Sequence, residues 1–160
     1  GIVAREFLES IGFNEELIVP ICKLIENHLA RVNISKITSH ASRVKSVKKL
    51  SRRLYPATIQ QLLYLMDADT NGRGGTEYKV PCGAKEISDI AKELTITNNQ
   101  YEYLLMGRHL ISAGLKPSPE FGAILKLSQE AQENGEFNDI EGALNWLEEY
   151  FKIWDVKYFQ

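Results

Sequence analysis

Residues 43–54 read RVKSVKKLSRRL, and the spacing within this stretch decides the fold of the chain. Its apolar residues recur every three or four positions, which predicts an α-helix with one face directed into a core. These apolar positions are Val44, Val47, Leu50 and Leu54. The basic residues between them fall on the other side at helical spacing and are expected to point outward. They are Lys45, Lys48, Lys49 and Arg52.

The same helical period extends over most of the chain on both sides of this stretch. Asn14 and Asp139 stand where the N-terminal caps of two further helices are expected. A long helix is expected to run from near Pro119 to a stop at Gly135. Residues 70–83 contain four glycines and a proline, which predicts a loop. Because no segment alternates for long enough to predict a strand, the sequence predicts an all-α helical bundle.

Length and composition exclude several classes of protein. The 160 residues, of which 44% are hydrophobic, are enough to bury a core without cross-links. No run of about 18 apolar residues occurs, so no membrane span is predicted, and no export signal is visible. Cys22 and Cys82 lie outside any zinc-ligand spacing and are expected to be reduced thiols. These features predict a cytoplasmic protein without a membrane partner.

The charge of the chain is unevenly distributed. Its formal net charge is -2, yet the segment from Arg31 to Arg53 holds eight Lys or Arg and no Asp or Glu. The rest of the chain holds 11 basic and 21 acidic residues. A basic block on an otherwise acidic body indicates an anionic partner, either a nucleic acid or a lipid surface. The alternative is an ordinary solvated helix face.

Three patterns that resemble catalytic motifs do not meet the requirements of those motifs. The glycine-rich residues 71–75 lack the Gly-Lys-Ser/Thr of a phosphate-binding loop. Asp67 and Asp69 are two positions apart on a helix and point to nearly opposite sides, so they are not expected to share a metal ion. No His-Asp dipeptide accompanies the three histidines, and no metal site is predicted. The histidines are His28, His40 and His109.

Two groups of short motifs carry a family resemblance. The first runs from the Leu-rich segment 62–65 to Gly74, and the second from Gly107 to Glu136. In this order they resemble the C-terminal part of bacterial tRNA nucleotidyltransferases, the CCA-adding and poly(A) polymerase-like enzymes. Ser118 departs from the family pattern, which usually has glycine there. The matching residues are Asp69, Gly72, Arg73, Gly107, Gly114, Lys116, Pro117, Pro119, Gly122, Gln132 and Gly135.

The resemblance implies that the chain has two regions and that catalysis takes place in a separate part of the enzyme. Residues 1–75 correspond to the second half of an HD-type helical domain, and residues 76–160 to the C-terminal helical region of the family. The catalytic head of the family, with its Gly-Ser motif and its magnesium-binding aspartates, matches nothing in this sequence. The resemblance therefore implies no catalytic residue and no cofactor in this chain, with magnesium in the head. The chain is expected to be a piece of a longer enzyme, or a degenerate stand-alone relative.

In such enzymes the C-terminal region holds the body of the tRNA while the head adds nucleotides. The implied partners are tRNA, the catalytic head and, as an alternative, a second copy of the chain. Phosphates are expected to be contacted by the basic residues of the block. The candidates are Arg43, Lys45, Lys48, Lys49, Arg52 and Arg53.

Two other functions stay open at this point. The first is a non-catalytic interaction or dimerisation module that uses the last 15 residues, which hold six aromatics. The second is a remnant HD-type phosphohydrolase, which the missing His-Asp dipeptide disfavours.

Overall fold

A computed structural model describes residues 1–72 and 77–158, with side chains described up to residue 152. Nine α-helices and no strand occur among these residues, so the predicted all-α bundle is confirmed. The helices are α1 (Ile2–Ser10), α2 (Glu15–Asn27), α3 (Ala30–Ser35), α4 (His40–Leu54), α5 (Ile59–Asn71), α6 (Ala84–Glu93), α7 (Gly107–Ser112), α8 (Glu120–Asn134) and α9 (Ile140–Tyr158).

Side-chain caps fix where several helices begin. The Asn14 Oδ1 atom accepts a hydrogen bond from the Leu17 N–H, and Asp139 accepts one from the Gly142 N–H, as the sequence predicted for both. Ser39 caps α4 through the Ser42 N–H, so this helix begins three residues earlier than its apolar period indicates. Thr58 and Gln61 form a reciprocal capping box at the start of α5.

The chain forms two compact units, and the first, Gly1–Tyr101, contains α1 to α6. Helix α4 contacts α2, α3, α5 and α6, and its Leu50 and Leu54 have no exposed surface. The division between residues 75 and 76 follows the family resemblance and stays a prediction; the compact unit itself continues to Tyr101. The reason is that α6 buries Ile87 and Ile90 in the same apolar cluster as α4 and α5.

The second unit, Glu102–Gln160, contains α7, α8 and α9 around its own apolar cluster. Leu110 of α7, Ile124 of α8 and Leu147 of α9 are buried together there. Helix α8 ends where the sequence predicted, because Gly135 adopts a left-handed φ of 83° that stops the helix.

Gly83 lies where the chain before α6 passes close to the backbone of α3. It precedes α6 with a left-handed φ of 74°. A Cβ atom at this position would collide with the backbone oxygen of Arg31 in α3. Since a backbone atom cannot rotate away as a side chain can, only glycine fits between α3 and α6.

Replacing Gly83 with alanine is expected to lower the free energy of unfolding by about 2–4 kcal/mol, because backbone strain and a steric clash act together. Gly12→Ala is the matched control, since Gly12 has a φ of 85° but a Cβ atom there would meet nothing within 4 Å. The control is expected to lose only the strain, about 1–2 kcal/mol. Urea denaturation followed by far-UV circular dichroism measures both, and equal losses would contradict the steric account.

Candidate nucleic-acid interface

Three of the predicted basic residues lie exposed on one side of α4. Lys49, Arg52 and Arg53 are separated by three and four positions, which places their side chains on neighbouring turns of one helix face. Arg52 and Arg53 also lie in the last turn of α4, where the helix dipole favours positive charge. The exposed cations therefore concentrate at the C-terminal end of this helix.

Two more of the predicted cations, Arg43 and Lys45, are half-buried nearer the start of α4. The Arg43 guanidinium donates a hydrogen bond to the Thr38 carbonyl oxygen at 3.1 Å, and this bond ties it to the segment that precedes the helix. Their partial burial makes them secondary candidates for contact with an anion, behind the three exposed residues.

Lys48 does not point outward, and that part of the sequence prediction is wrong. Only 4% of its surface is exposed, and its Nζ atom lies 5.1 Å from the centre of the Tyr101 ring. This is a cation–π contact, which favours a lysine whose stem is buried. The Tyr101 N–H also donates a hydrogen bond to the Ser51 hydroxyl of α4. Besides its apolar inner side and its exposed basic side, helix α4 therefore has a third side, where Lys48 and Ser51 contact Tyr101 at the end of the first unit.

The two units carry opposite charge. Residues 1–101 contain 14 Lys or Arg and 11 Asp or Glu, whereas residues 102–160 contain five and ten. The first unit is therefore formally positive and the second formally negative. These net charges favour contact of an anionic polymer with the first unit over contact with the second.

Arg31 belongs to the basic block in the sequence but not to this interface. Its guanidinium lies 3.6 Å from the Asp69 carboxylate of α5, and both side chains are largely buried. Asp69, one of the family-motif residues, thereby links α5 to α3. The next such residue, Gly72, follows the last turn of α5 and donates its N–H to the Ala68 oxygen at 2.7 Å. Arg73 lies outside the described residues.

The neighbouring Asp67 has different partners, as the opposite orientation of the two carboxylates predicts. Its Oδ1 atom accepts a hydrogen bond from the Tyr78 hydroxyl at 2.6 Å, and this bond raises the pKa of Tyr78. Asn71 also contacts Asp67 and binds both backbone groups of Lys79. These contacts fasten the segment after residue 76 to the end of α5.

Gln132, a family-motif residue, is buried in the second unit and binds backbone groups. Its Nε2 atom donates to the Glu102 oxygen at 3.0 Å, and its Oε1 atom accepts from the Leu104 N–H at 3.0 Å. One side-chain amide thus satisfies a donor and an acceptor of an irregular segment, as a paired strand would. Next to it, Glu133 accepts a hydrogen bond from the Tyr103 hydroxyl at 2.7 Å.

The remaining family-motif residues shape the ends of α7 and α8. Gly107 is the first residue of α7, and Gly114 follows that helix with a left-handed φ of 92°. Lys116 and Pro117 form the exposed turn that leads to Pro119, the residue before α8. Gly122 lies in the first turn of α8, and Gly135 terminates that helix. These residues lie at helix starts, at helix ends and in a turn, and they are not gathered into one site.

An open groove in the second unit was not predicted from the sequence. It has a volume of about 340 Å³ and lies between the Leu115–Glu120 turn, the start of α8 and α9. Its aromatic lining consists of Phe121, Tyr150 and Phe151. Its lining combines residues within 115–124 with Tyr150 and Phe151, and only the packing of α8 against α9 brings these two distant segments together.

No group of three or more His, Cys, Asp or Glu residues able to hold a metal ion occurs within the described part of the chain. The His28 Nδ1 atom lies 2.6 Å from the Ile25 carbonyl oxygen of its own helix. Among the described helices, none has the length and apolar composition needed to cross a bilayer.

Comparison of the chain with models of protein families, with curated proteins and with solved structures gave no match.

Gln132→Ala is expected to lower the free energy of unfolding by about 2–4 kcal/mol, because it leaves a buried N–H and a buried carbonyl without their partner. Gln129→Ala, at a half-buried position of the same helix, is the control and is expected to change it by less than about 1 kcal/mol. Both tryptophans lie in the second unit, so denaturation followed by tryptophan fluorescence reports on it. Equal effects of the two substitutions would contradict the bridging role of Gln132.

Proposed function

We propose that this chain is an RNA-binding helical region that positions tRNA, of the type found in the C-terminal part of tRNA nucleotidyltransferases. The observation that carries the proposal is the exposed group of Lys49, Arg52 and Arg53 on α4. This group belongs to a segment of 23 residues, 31–53, that contains no acidic residue. Half-buried Arg43 and Lys45 extend the basic surface along the same helix.

The chemistry of such a surface suits a folded RNA. Cations three and four positions apart on a helix contact successive backbone phosphates and fix the position of the RNA without reading its bases. A structured RNA is recognised largely by its shape and its backbone. Each phosphate that is neutralised releases counterions, so the affinity is expected to fall steeply with salt concentration.

The family-like motifs support the proposal through the structural work that their residues perform. Gln132 joins α8 to the segment before α7, Gly114 and Gly135 end helices, and Asp69 joins α5 to α3. In this proposal the chain supplies no catalytic residue and no metal ligand, and nucleotide addition with magnesium belongs to a catalytic head. The setting proposed for it is the cytoplasm.

The alternative of an interaction module built on the aromatic end of the chain has less support. Trp146 stacks on Tyr150 with ring centres 5.5 Å apart, and Phe137 lies 5.9 Å from Trp146. These rings pack within the second unit and close its core. Trp154, Tyr158 and Phe159 fall among the residues whose side chains are not described, so their part of this prediction is not addressed.

The double substitution Arg52→Ala/Arg53→Ala is expected to weaken binding of bulk tRNA about tenfold or more at low salt. It is also expected to reduce the slope of log affinity against log salt by about 1.5–2, since two phosphate contacts are lost. A filter-binding or fluorescence-anisotropy titration at several salt concentrations measures both quantities.

A matched control removes the same charge from a different helix. Lys85→Ala/Lys92→Ala on α6 is expected to leave the salt slope unchanged, because Lys85 pairs with Asp89 of its own helix. Lys48→Met is expected to leave the slope unchanged as well, since Lys48 is buried. Absence of tRNA binding by the native chain at low salt, or an equal loss in the α6 control, would refute the proposed function.

A further inference from the structure

An exposed tyrosine ring stands beside the cations at the C-terminal end of α4. Tyr55 is 63% exposed and is the residue that directly follows the last turn of this helix. Its N–H donates a hydrogen bond to the Arg52 carbonyl oxygen at 3.3 Å. This bond holds Tyr55 against the turn that carries Arg52 and Arg53.

The backbone of Tyr55 keeps its side chain in line with the helix. Its φ of -48° is close to the helical value, and only its ψ of 132° departs from the helix. Because ψ turns only the atoms that follow, the Cβ atom of Tyr55 stands where the helix places it, three positions after Arg52. Side chains at this spacing are neighbours, with Cβ atoms about 5–6 Å apart. The ring and the Arg52 side chain therefore border the same patch of surface.

The fold makes no use of the Tyr55 ring. Leu54, the residue before it, is fully buried in the apolar cluster of the first unit, whereas Tyr55 points away from that cluster. Within residues 1–72 and 77–152, its hydroxyl has no hydrogen-bond partner and its ring contacts no other ring or cation. A single exposed ring is common on protein surfaces, and what distinguishes Tyr55 is the chemistry of its neighbours.

These neighbours favour a flat and anionic partner. Residues 27–66 contain no Asp or Glu, so no carboxylate of this stretch repels a phosphate. Residues 30–54, all of which the structure describes, expose no large apolar side chain. A helix that binds a membrane surface needs a broad apolar face, which this side of α4 does not provide. The surface instead combines one ring with a group of cations.

A nucleotide carries the two groups that complement this surface, a phosphate and a flat aromatic base. Stacking of a base on an aromatic side chain contributes roughly five- to hundredfold in affinity, and it tolerates any base because every base has a π face. In a duplex the faces of the bases are covered by their neighbours, so a protein ring reaches the bases of unpaired nucleotides. The ring of Tyr55 therefore suits an unpaired base whose flanking phosphates lie near Arg52 and Arg53.

We propose that Tyr55 is a base-stacking residue, and that an unpaired base of the RNA lies against its ring while Arg52 and Arg53 contact the adjoining phosphates. The proposal rests on the RNA binding proposed above. It adds a preference for RNA with an unpaired nucleotide over a continuous duplex of the same charge. The identity of the base is not read.

Fluorescence-anisotropy titrations of the full chain with two double-stranded RNAs test the proposal. One RNA has a two-nucleotide unpaired 3′ extension, and the other has one further base pair instead, so both carry the same number of phosphates. The native chain is expected to bind the extended RNA about fivefold or more tightly at each salt concentration. Tyr55→Ala is expected to abolish this preference and to leave the salt slope unchanged, since no phosphate contact is lost. Tyr55→Phe keeps the ring and is expected to retain the preference.

Phe7→Ala is the matched control, because Phe7 is 61% exposed and lies on α1, outside the basic block. It is expected to leave the preference unchanged, and circular dichroism checks that each variant is folded. Salt-dependent binding of both RNAs with equal affinity would overturn the stacking role alone and leave the proposed function intact. A preference that persists in Tyr55→Ala, or that Phe7→Ala also removes, would overturn the stacking role too. Absence of binding to either RNA at low salt would refute the proposed function and the stacking role with it.

Discussion

The burial of the inner side of α4 is the constraint on which the first unit depends. Val47, Leu50 and Leu54 have no exposed surface, and the helix that carries them contacts four others. Burial of one such side chain contributes roughly 1.5–3 kcal/mol. Rotation of α4 about its axis would expose all three, and the lost burial energy would be comparable to the whole free energy of unfolding of a domain, about 5–15 kcal/mol. Because this side is fixed in the core, the direction in which the charged residues of the same helix point is fixed too.

The second unit relies more on polar and steric constraints. Its segment before α7 has no strand to pair with, and Gln132 supplies the missing hydrogen bonds from within the core. Gly114 and Gly135 allow α7 and α8 to end at positions where their neighbours can pack. The second unit is acidic and carries an apolar groove, whereas the first unit has a net positive charge.

Much of the fold could be predicted from local signals in the sequence. Asn14 and Asp139 cap helices, Gly135 ends α8, and the apolar period over 43–54 places Val47, Leu50 and Leu54 in the core, all as expected. These features depend on residues within one or two turns of one another, and such short-range chemistry can be read directly from the order of residues.

The orientation of Lys48, the pairing of Arg31 and the extent of the first unit could not be predicted. Lys48 is buried because Tyr101, more than 50 positions later, packs over its ammonium group. Arg31 is engaged by Asp69, and α6 enters the core of the first unit through Ile87 and Ile90. The sequence by itself determined the all-α class, the helix ends and the basic block. Only the tertiary structure decided which cations of that block reach the solvent, because burial depends on contacts between residues that are distant along the chain.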